Sequence, residues 1–196
     1  KLGYYGKYQR AKLPKGAVKV AEIKHPISMA TVDVLKNSNN LVAETVFKLA
    51  GGKHVNGTGS AISAIAMFNT YCSINKLDCT KIRLTDGSGV SKNNLVTANF
   101  MTDYMVTTTK IFGLEKLESM LTKPKEGTLA NRFFNMQGKL WAKTGTLANI
   151  SGITGIMTAK SGKNYAFSIY INDGKSSESD KKMLEEFIIK TAYSKF

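Results

Sequence analysis

The chain has 196 residues, 42% of them hydrophobic, with 28 Lys and Arg against 14 Asp and Glu and a formal net charge of +14. That length fits one domain or a large part of one, residues 1–196 being read as a single unit, and the apolar share suffices for a packed core. No run of about 18 apolar residues occurs, so no membrane-spanning helix is expected. The positive residues are mostly Lys, spread along the chain without a dense basic helix or an aromatic-interleaved basic stripe, which disfavours nucleic acid as a partner. Diffuse basicity suits an anionic envelope polymer or a membrane surface as well, so a peripheral membrane association stays open. The opening stretch KLGYYGKYQR has neither the apolar core of a signal peptide nor an initiating Met. The expectation is a processed leader or a piece of a longer protein.

In chain order, residues 16–24, GAVKVAEIK, alternate well enough for a strand, and Pro26 ends it. Residues 28–50 carry apolar stripes at helical spacing, Val32 and Leu35, then Leu41, Val42, Val46 and Leu49. They are interrupted at Ser38-Asn39-Asn40, where Asn and Ser compete for backbone hydrogen bonds and favour helix ends. The stretch GGKHVNGTG reads as a loop, 60–77 as a helix, and IRLTDGSG as a short strand entering a turn. Two more helices follow, one capped near Thr97 and one over GLEKLESMLT. Three strands at about 138–148, 150–159 and 164–172 are separated by turn residues and predict an antiparallel meander. A closing amphipathic helix would turn Met183, Leu184, Phe187, Ile188 and Ala192 inward. If the early strand joins the meander, the fold is a mixed, mainly antiparallel α/β sheet flanked by helices.

Several chemistries fail on spacing. A P-loop ending at Gly174 needs a glycine where Ile169 stands. No G-x-S-x-G elbow occurs, and a Ser-His-Asp triad would have to use His25 or His54, neither of which has a supporting partner. The same two histidines lie far from the cysteines and no CxxC is present, so neither a metal nor a cofactor is expected. Cys72 and Cys79 enclose a short loop; a disulfide and two thiols both fit until the Cα distance is known.

What remains is a pair of tripeptides. Ser38-Asn39-Asn40 is an S-x-N at a helix break, and Lys143-Thr144-Gly145 is a K-T-G at the head of the meander. Each is weak alone. Together, in this order and on these elements, they match motifs of penicillin-binding proteins and class A β-lactamases. The flanking segments HPISMATVDVLKNSNNLVAETVFKLAGG, RLTDGSGVSKNNLVTANFMTDYM and GTLANRFFNMQGKLWAKTGTLANISGITGIM narrow the likeness. From about residue 16 onward the chain resembles the D-alanyl-D-alanine carboxypeptidase/endopeptidases called class C low-molecular-mass penicillin-binding proteins. Asp86 to Asn94, D-G-S-G-x-S-x-x-N, is particularly like that class.

The resemblance implies a β-lactamase/transpeptidase-like fold, here a partial domain, and a periplasmic serine enzyme acting on peptidoglycan stem peptides and binding β-lactams. It implies catalytic roles for Ser38, Asn40 and Lys143: proton relay, hydrogen bond to the substrate amide, and a positive charge beside Ser38. It implies substrate binding by Thr144, Gly145, Thr146 and Arg132, with the Thr146 N–H as an oxyanion-hole donor. The family's nucleophile is the serine of an early S-x-x-K. This chain offers only Ser73-Ile-Asn-Lys76 and Ser179-Asp-Lys-Lys182, both after the S-x-N and in the wrong order. The expectation is therefore a C-terminal portion, inactive alone, whose partner is the N-terminal portion of the same enzyme. The alternatives are a non-catalytic domain that binds peptidoglycan or a partner, and a basic nucleic-acid module whose affinity would fall steeply with salt.

Overall fold

A computed structural model describes residues 11–196. Helix α1 (Ile27–Asn37) is followed after a sharp break by α2 (Asn40–His54), then α3 (Ala61–Ile74), α4 (Ala98–Phe112) and the short α5 (Leu114–Met120). Strands β1 (Leu140–Leu147), β2 (Ile150–Thr158) and β3 (Asn164–Asn172) form an antiparallel meander, and α6 (Glu178–Lys195) closes the chain. Capping explains where the helices begin. Asn39, Ser60, Thr97 and Ser177 each accept an otherwise unpaired first-turn N–H, at the heads of α2, α3, α4 and α6.

The sheet is a middle layer. On one face Leu140, Ala142, Ile153 and Met157 pack with Leu129, Phe133, Met136 and Ile189 of α6. On the other, Trp141 and Ile156 pack with Met105, Leu117, Leu121 and Leu35, from α4, α5 and α1. Residues facing each other across the ladder share a face, as Trp141 opposite Ile156 shows. Glycines let the layers close. A Cβ at Gly155 would lie 2.1 Å from the Trp141 carbonyl oxygen, and one at Gly51 would lie 2.3 Å from the Ala64 nitrogen. Helix α2 runs on through Gly51 and Gly52 to His54, where a loop was expected. Gly51 seats α3, and Gly52 seats the loop before it, where a Cβ would lie 2.8 Å from the Gly59 nitrogen.

Four expectations need correction. Residues 16–24 form no strand: Val18, Val20 and Ile23 are largely exposed, and the alternation finds no ladder partner among the described residues. The sheet there has three strands, without an early fourth. The stretch after Lys81 contributes one isolated bridge, Arg83 with Leu95, and no strand. Finally, the inward face of α6 is Lys181, Glu185 and Ile189, with Ala192 and Tyr193 partly buried, while Met183, Leu184, Phe187 and Ile188 are exposed. Side-chain pairing rotates the helix: buried Glu185 accepts from Ser151 of β2 at 2.7 Å and from Arg132 at 2.8 Å. An apolar count cannot anticipate a buried carboxylate that is fully paired.

Candidate active site

Ser38 stands between α1 and α2 in the left-handed region, φ 58° and ψ 40°. A non-glycine residue rarely stays there unless its surroundings over-determine it. Here Asp33 does so. Its two carboxylate oxygens accept from the side-chain amides of Asn37, at 2.8 Å, and Asn39, at 2.7 Å, one on each side of Ser38. Asn39 also caps α2, accepting from the Val42 N–H. The end of α1 is pinned from below. The Thr122 hydroxyl donates to the Leu35 and Lys36 carbonyls, Lys36 pairs with Glu126, and a Cβ at Gly127 would meet the Lys36 oxygen at 2.3 Å.

Thr122 also bridges β1, exchanging both backbone bonds with Ala142. That fixes the orientation of the strand. Ala142 turns its N–H and C=O away from β2, so by the alternation of an antiparallel ladder Thr144 and Thr146 do the same. Past Ala142 no described strand pairs with this edge. The Thr144 carbonyl accepts from the Lys143 ammonium, and the Thr146 N–H faces the open edge. Gly145 lies between them with nothing within 4 Å of where a Cβ would be.

Lys143 shares the face of Trp141, toward the helical layer. Its ammonium donates to the Ser38 hydroxyl at 2.8 Å, closing a contact across 105 residues of sequence. Burial pushes the Lys143 ammonium below its ordinary 10.5, because removal from water disfavours the charged form. Asn40, the first residue of α2, is exposed, and its side-chain amide holds no bond to another described residue. The structure thus brings Ser38 to Lys143 beside the open edge formed by Thr144, Gly145 and Thr146, with Asn40 opening α2 two residues after Ser38. A hydroxyl held by a partly desolvated lysine, beside unpaired backbone donors, can pass a proton while a peptide lies along β1.

Arg132 is elsewhere and otherwise engaged. It is 9% exposed, ion-paired to Glu185 at 2.8 Å and Glu186 at 3.3 Å, bonded to the Lys182 carbonyl and stacked 5.0 Å from the Phe133 ring. Its guanidinium ties α6 to the loop before β1, so the expected substrate contact gives way to a packing role. Ser73 and Ser179 sit near the end of α3 and in the first turn of α6, and neither bonds to Ser38 or Lys143. The segment Asp86 to Asn94 is a closed loop around one carboxylate. Burial works against the charge of Asp86, but the N–H groups of Ser91 and Gly89 and the side chains of Asn94 and Ser88 hold it below its ordinary value. Gly87 donates to Glu44 of α2, fastening that loop near the head of the site. Asp33 escaped sequence reading; its one local signal was the four-residue spacing to Asn37. Cys72 and Cys79 are bridged, with Cα atoms 6.3 Å apart.

Known proteins share this fold. The D-Ala-D-Ala carboxypeptidase 3 (S13) family matches over residues 4–192. A D-alanyl-D-alanine carboxypeptidase of Actinomadura sp. (strain R39) is 32% identical over 158 residues, covering 76% of this chain and 29% of that protein. The chain therefore spans less than a third of that relative's length. Penicillin binding protein 4 of Haemophilus influenzae, solved with a β-lactam, superposes with TM-score 0.75 at 20% identity, covering 86% of this chain and 42% of that one. A predatory endopeptidase of Bdellovibrio bacteriovorus, solved with an immunity protein, superposes with TM-score 0.66 at 23% identity, covering 92% and 47%. A family match across nearly the whole sequence, on a fold shared with penicillin-binding proteins, settles membership: the chain belongs to the D-Ala-D-Ala carboxypeptidase 3 (S13) family.

Proposed function

We propose that this chain carries the S-x-N and K-T-G half of a serine-type D-Ala-D-Ala carboxypeptidase or endopeptidase that acts on peptidoglycan stem peptides through an acyl-enzyme and is acylated by β-lactams. The observation that carries the reading is the 2.8 Å contact from the Lys143 ammonium to the Ser38 hydroxyl, made beside an unpaired strand edge. The nucleophile and its lysine come from an S-x-x-K segment outside residues 1–196. That serine attacks the carbonyl between two D-alanines; its proton moves through Ser38 to the leaving amine. Lys143 keeps positive charge beside Ser38 and attracts the terminal carboxylate, which the Thr144 and Thr146 hydroxyls also meet. Asn40 bonds the substrate amide. The Thr146 N–H is one of two oxyanion-hole donors, and loss of such a donor costs roughly 100-fold or more in rate. Gly145 leaves room for a peptide to pair with β1. A bridged Cys72–Cys79 supports a site of action outside the cytoplasm, in the periplasm.

The test is denaturing intact mass of the full-length gene product before and after benzylpenicillin. The expected result is one penicilloyl adduct on a peptide outside residues 1–196. Acylation should slow by roughly 100-fold or more in Ser38→Ala and in Lys143→Ala. An adduct mapped to Ser73 or Ser179 would overturn the assignment. The absence of any adduct would favour a non-catalytic peptidoglycan-binding domain.

A further inference from the structure

Three segments meet at the end of the sheet remote from the K-T-G. The Thr158 N–H donates to the Lys139 carbonyl at 2.9 Å, just before β1. In the β2–β3 turn the Ala159 N–H donates to the Lys163 carbonyl at 2.8 Å, and the Lys160 N–H donates to the Tyr193 carbonyl of α6 at 3.1 Å. Lys139, Lys160, Lys163 and Lys195 are thereby gathered at one end of the molecule, and all four are exposed. None forms an ion pair with a described residue. Residues 137–139, 158–164 and 190–196 contain no Asp or Glu. The last carboxylate of α6, Glu186, is held by Arg132 and Lys190.

Four ammonium groups gathered by main-chain bonds repel one another, and an anionic surface relieves that repulsion. Their form narrows the partner. Lysines act as hydrated point charges, suited to a diffuse negative field more than to fork-like pairing with one group. Ser161 and Gly162 at the tip of the turn carry little bulk, so a flat surface can reach Lys160 and Lys163 together. An aromatic side chain stands among the amines: Phe196 is 53% exposed, with its ring 5.3 Å from that of Tyr165. A lipid headgroup layer holds such a set, the ring entering the apolar boundary and the amines meeting the phosphates. A polyanion in water offers the ring no apolar layer to enter. Thr146 lies seven residues along β1 from Lys139, roughly 23 Å at the rise of a strand. A molecule standing on this end would hold its peptide edge away from the lipid.

We propose that this end of the sheet is a docking surface for an anionic phospholipid membrane, with Lys139, Lys160, Lys163 and Lys195 as its charges and Phe196 as its apolar anchor. The inference does not depend on the peptidase reading above.

Full-length protein would be sedimented with vesicles of phosphatidylglycerol and of phosphatidylcholine, and tested against dextran sulfate in solution. Lys139→Gln, Lys160→Gln, Lys163→Gln and Lys195→Gln combined should weaken binding to phosphatidylglycerol vesicles by roughly 100-fold or more. Glutamines at Lys53, Lys76, Lys81 and Lys110, exposed lysines on or near α2, α3 and α4, remove equal charge and should cost far less. Phe196→Ala should cost roughly fivefold on the vesicles and nothing on dextran sulfate. Melting temperatures and acylation by benzylpenicillin should be the same in every variant. No binding of the wild-type protein to phosphatidylglycerol, or an equal loss in the control set, would overturn the proposal. Binding to dextran sulfate as tight as to vesicles, with Phe196→Ala silent on both, would make this a polyanion site and overturn it too. Failure of the wild-type protein to be acylated would sink the peptidase reading and leave the docking surface standing.

Discussion

At the scale of single residues, Lys143 makes the clearest physical demand. A lysine placed among Trp141, Ser38 and the head of the helical layer loses part of its hydration, and burial lowers its pKa from 10.5. Between that lowered value and 10.5 the unfolded chain holds a proton that the folded chain has released. Folding stability relative to Lys143→Met should therefore rise with pH through that window and level off above it. Urea midpoints of the two proteins from neutral pH to about 10.5 would check this. A constant difference would mean that the ammonium stays hydrated. Ser38 makes the complementary demand on backbone shape, which Asp33 meets by holding Asn37 and Asn39 on either side.

At the scale of elements, the site depends on how closely strands and helices approach. Gly155 sits opposite Ala142 in the ladder, immediately before the K-T-G. A methyl group there would press on the Trp141 carbonyl at 2.1 Å and on Ala142 at 2.7 Å, both within the strand that carries Lys143. Gly155→Ala should cost about 2 kcal/mol or more by overpacking, measured by denaturant unfolding. It should also slow acylation of the full-length protein by displacing β1. By contrast Gly145→Ala has open space, so any loss it shows would come from a bound peptide and not from the fold. The helix–break–helix at Ser38, the cap at Thr97 and the three-stranded meander were all legible in the sequence, because each is a local matter of periodicity, capping and turn chemistry. The inward face of α6 was not. It is chosen by Glu185 meeting Ser151 and Arg132, contacts separated by 34 and 53 residues.

At the scale of the whole molecule, two carboxylates set its response to acid, and one of them couples distant segments. Burial opposes the charge of Glu126, but Lys36 and Lys123 hold its pKa below 4.5, and so tie the loop before β1 to α1. Asp86 is held below 3.8 by its own loop despite burial. Both carboxyls are depressed in the fold. Their contribution is fully present above the unfolded values and is lost as pH falls through the lowered ones. Unfolding midpoints should fall as pH is lowered below about 4.5, with a flatter slope in Glu126→Gln. An identical slope in that variant would detach Glu126 from the response.

The sequence by itself determined the helices, the three-stranded meander, their order and the two tripeptides, because helical periods, caps, turns and the K-T-G pattern are written in neighbouring residues. It could name Ser38, Asn40, Lys143, Thr144, Gly145 and Thr146 by likeness. Only the tertiary structure decided that Lys143 bonds Ser38 across 105 residues, that Thr146 turns its N–H to an open edge, and that Arg132 pairs with Glu185 of α6. It also bridged Cys72 to Cys79 and left residues 16–24 without a ladder. The reason is one of range. Periodicity fixes which face of an element is apolar, but the choice of what meets that face depends on partners far away in the chain. Those partners are selected by close packing and by the pairing of buried charge.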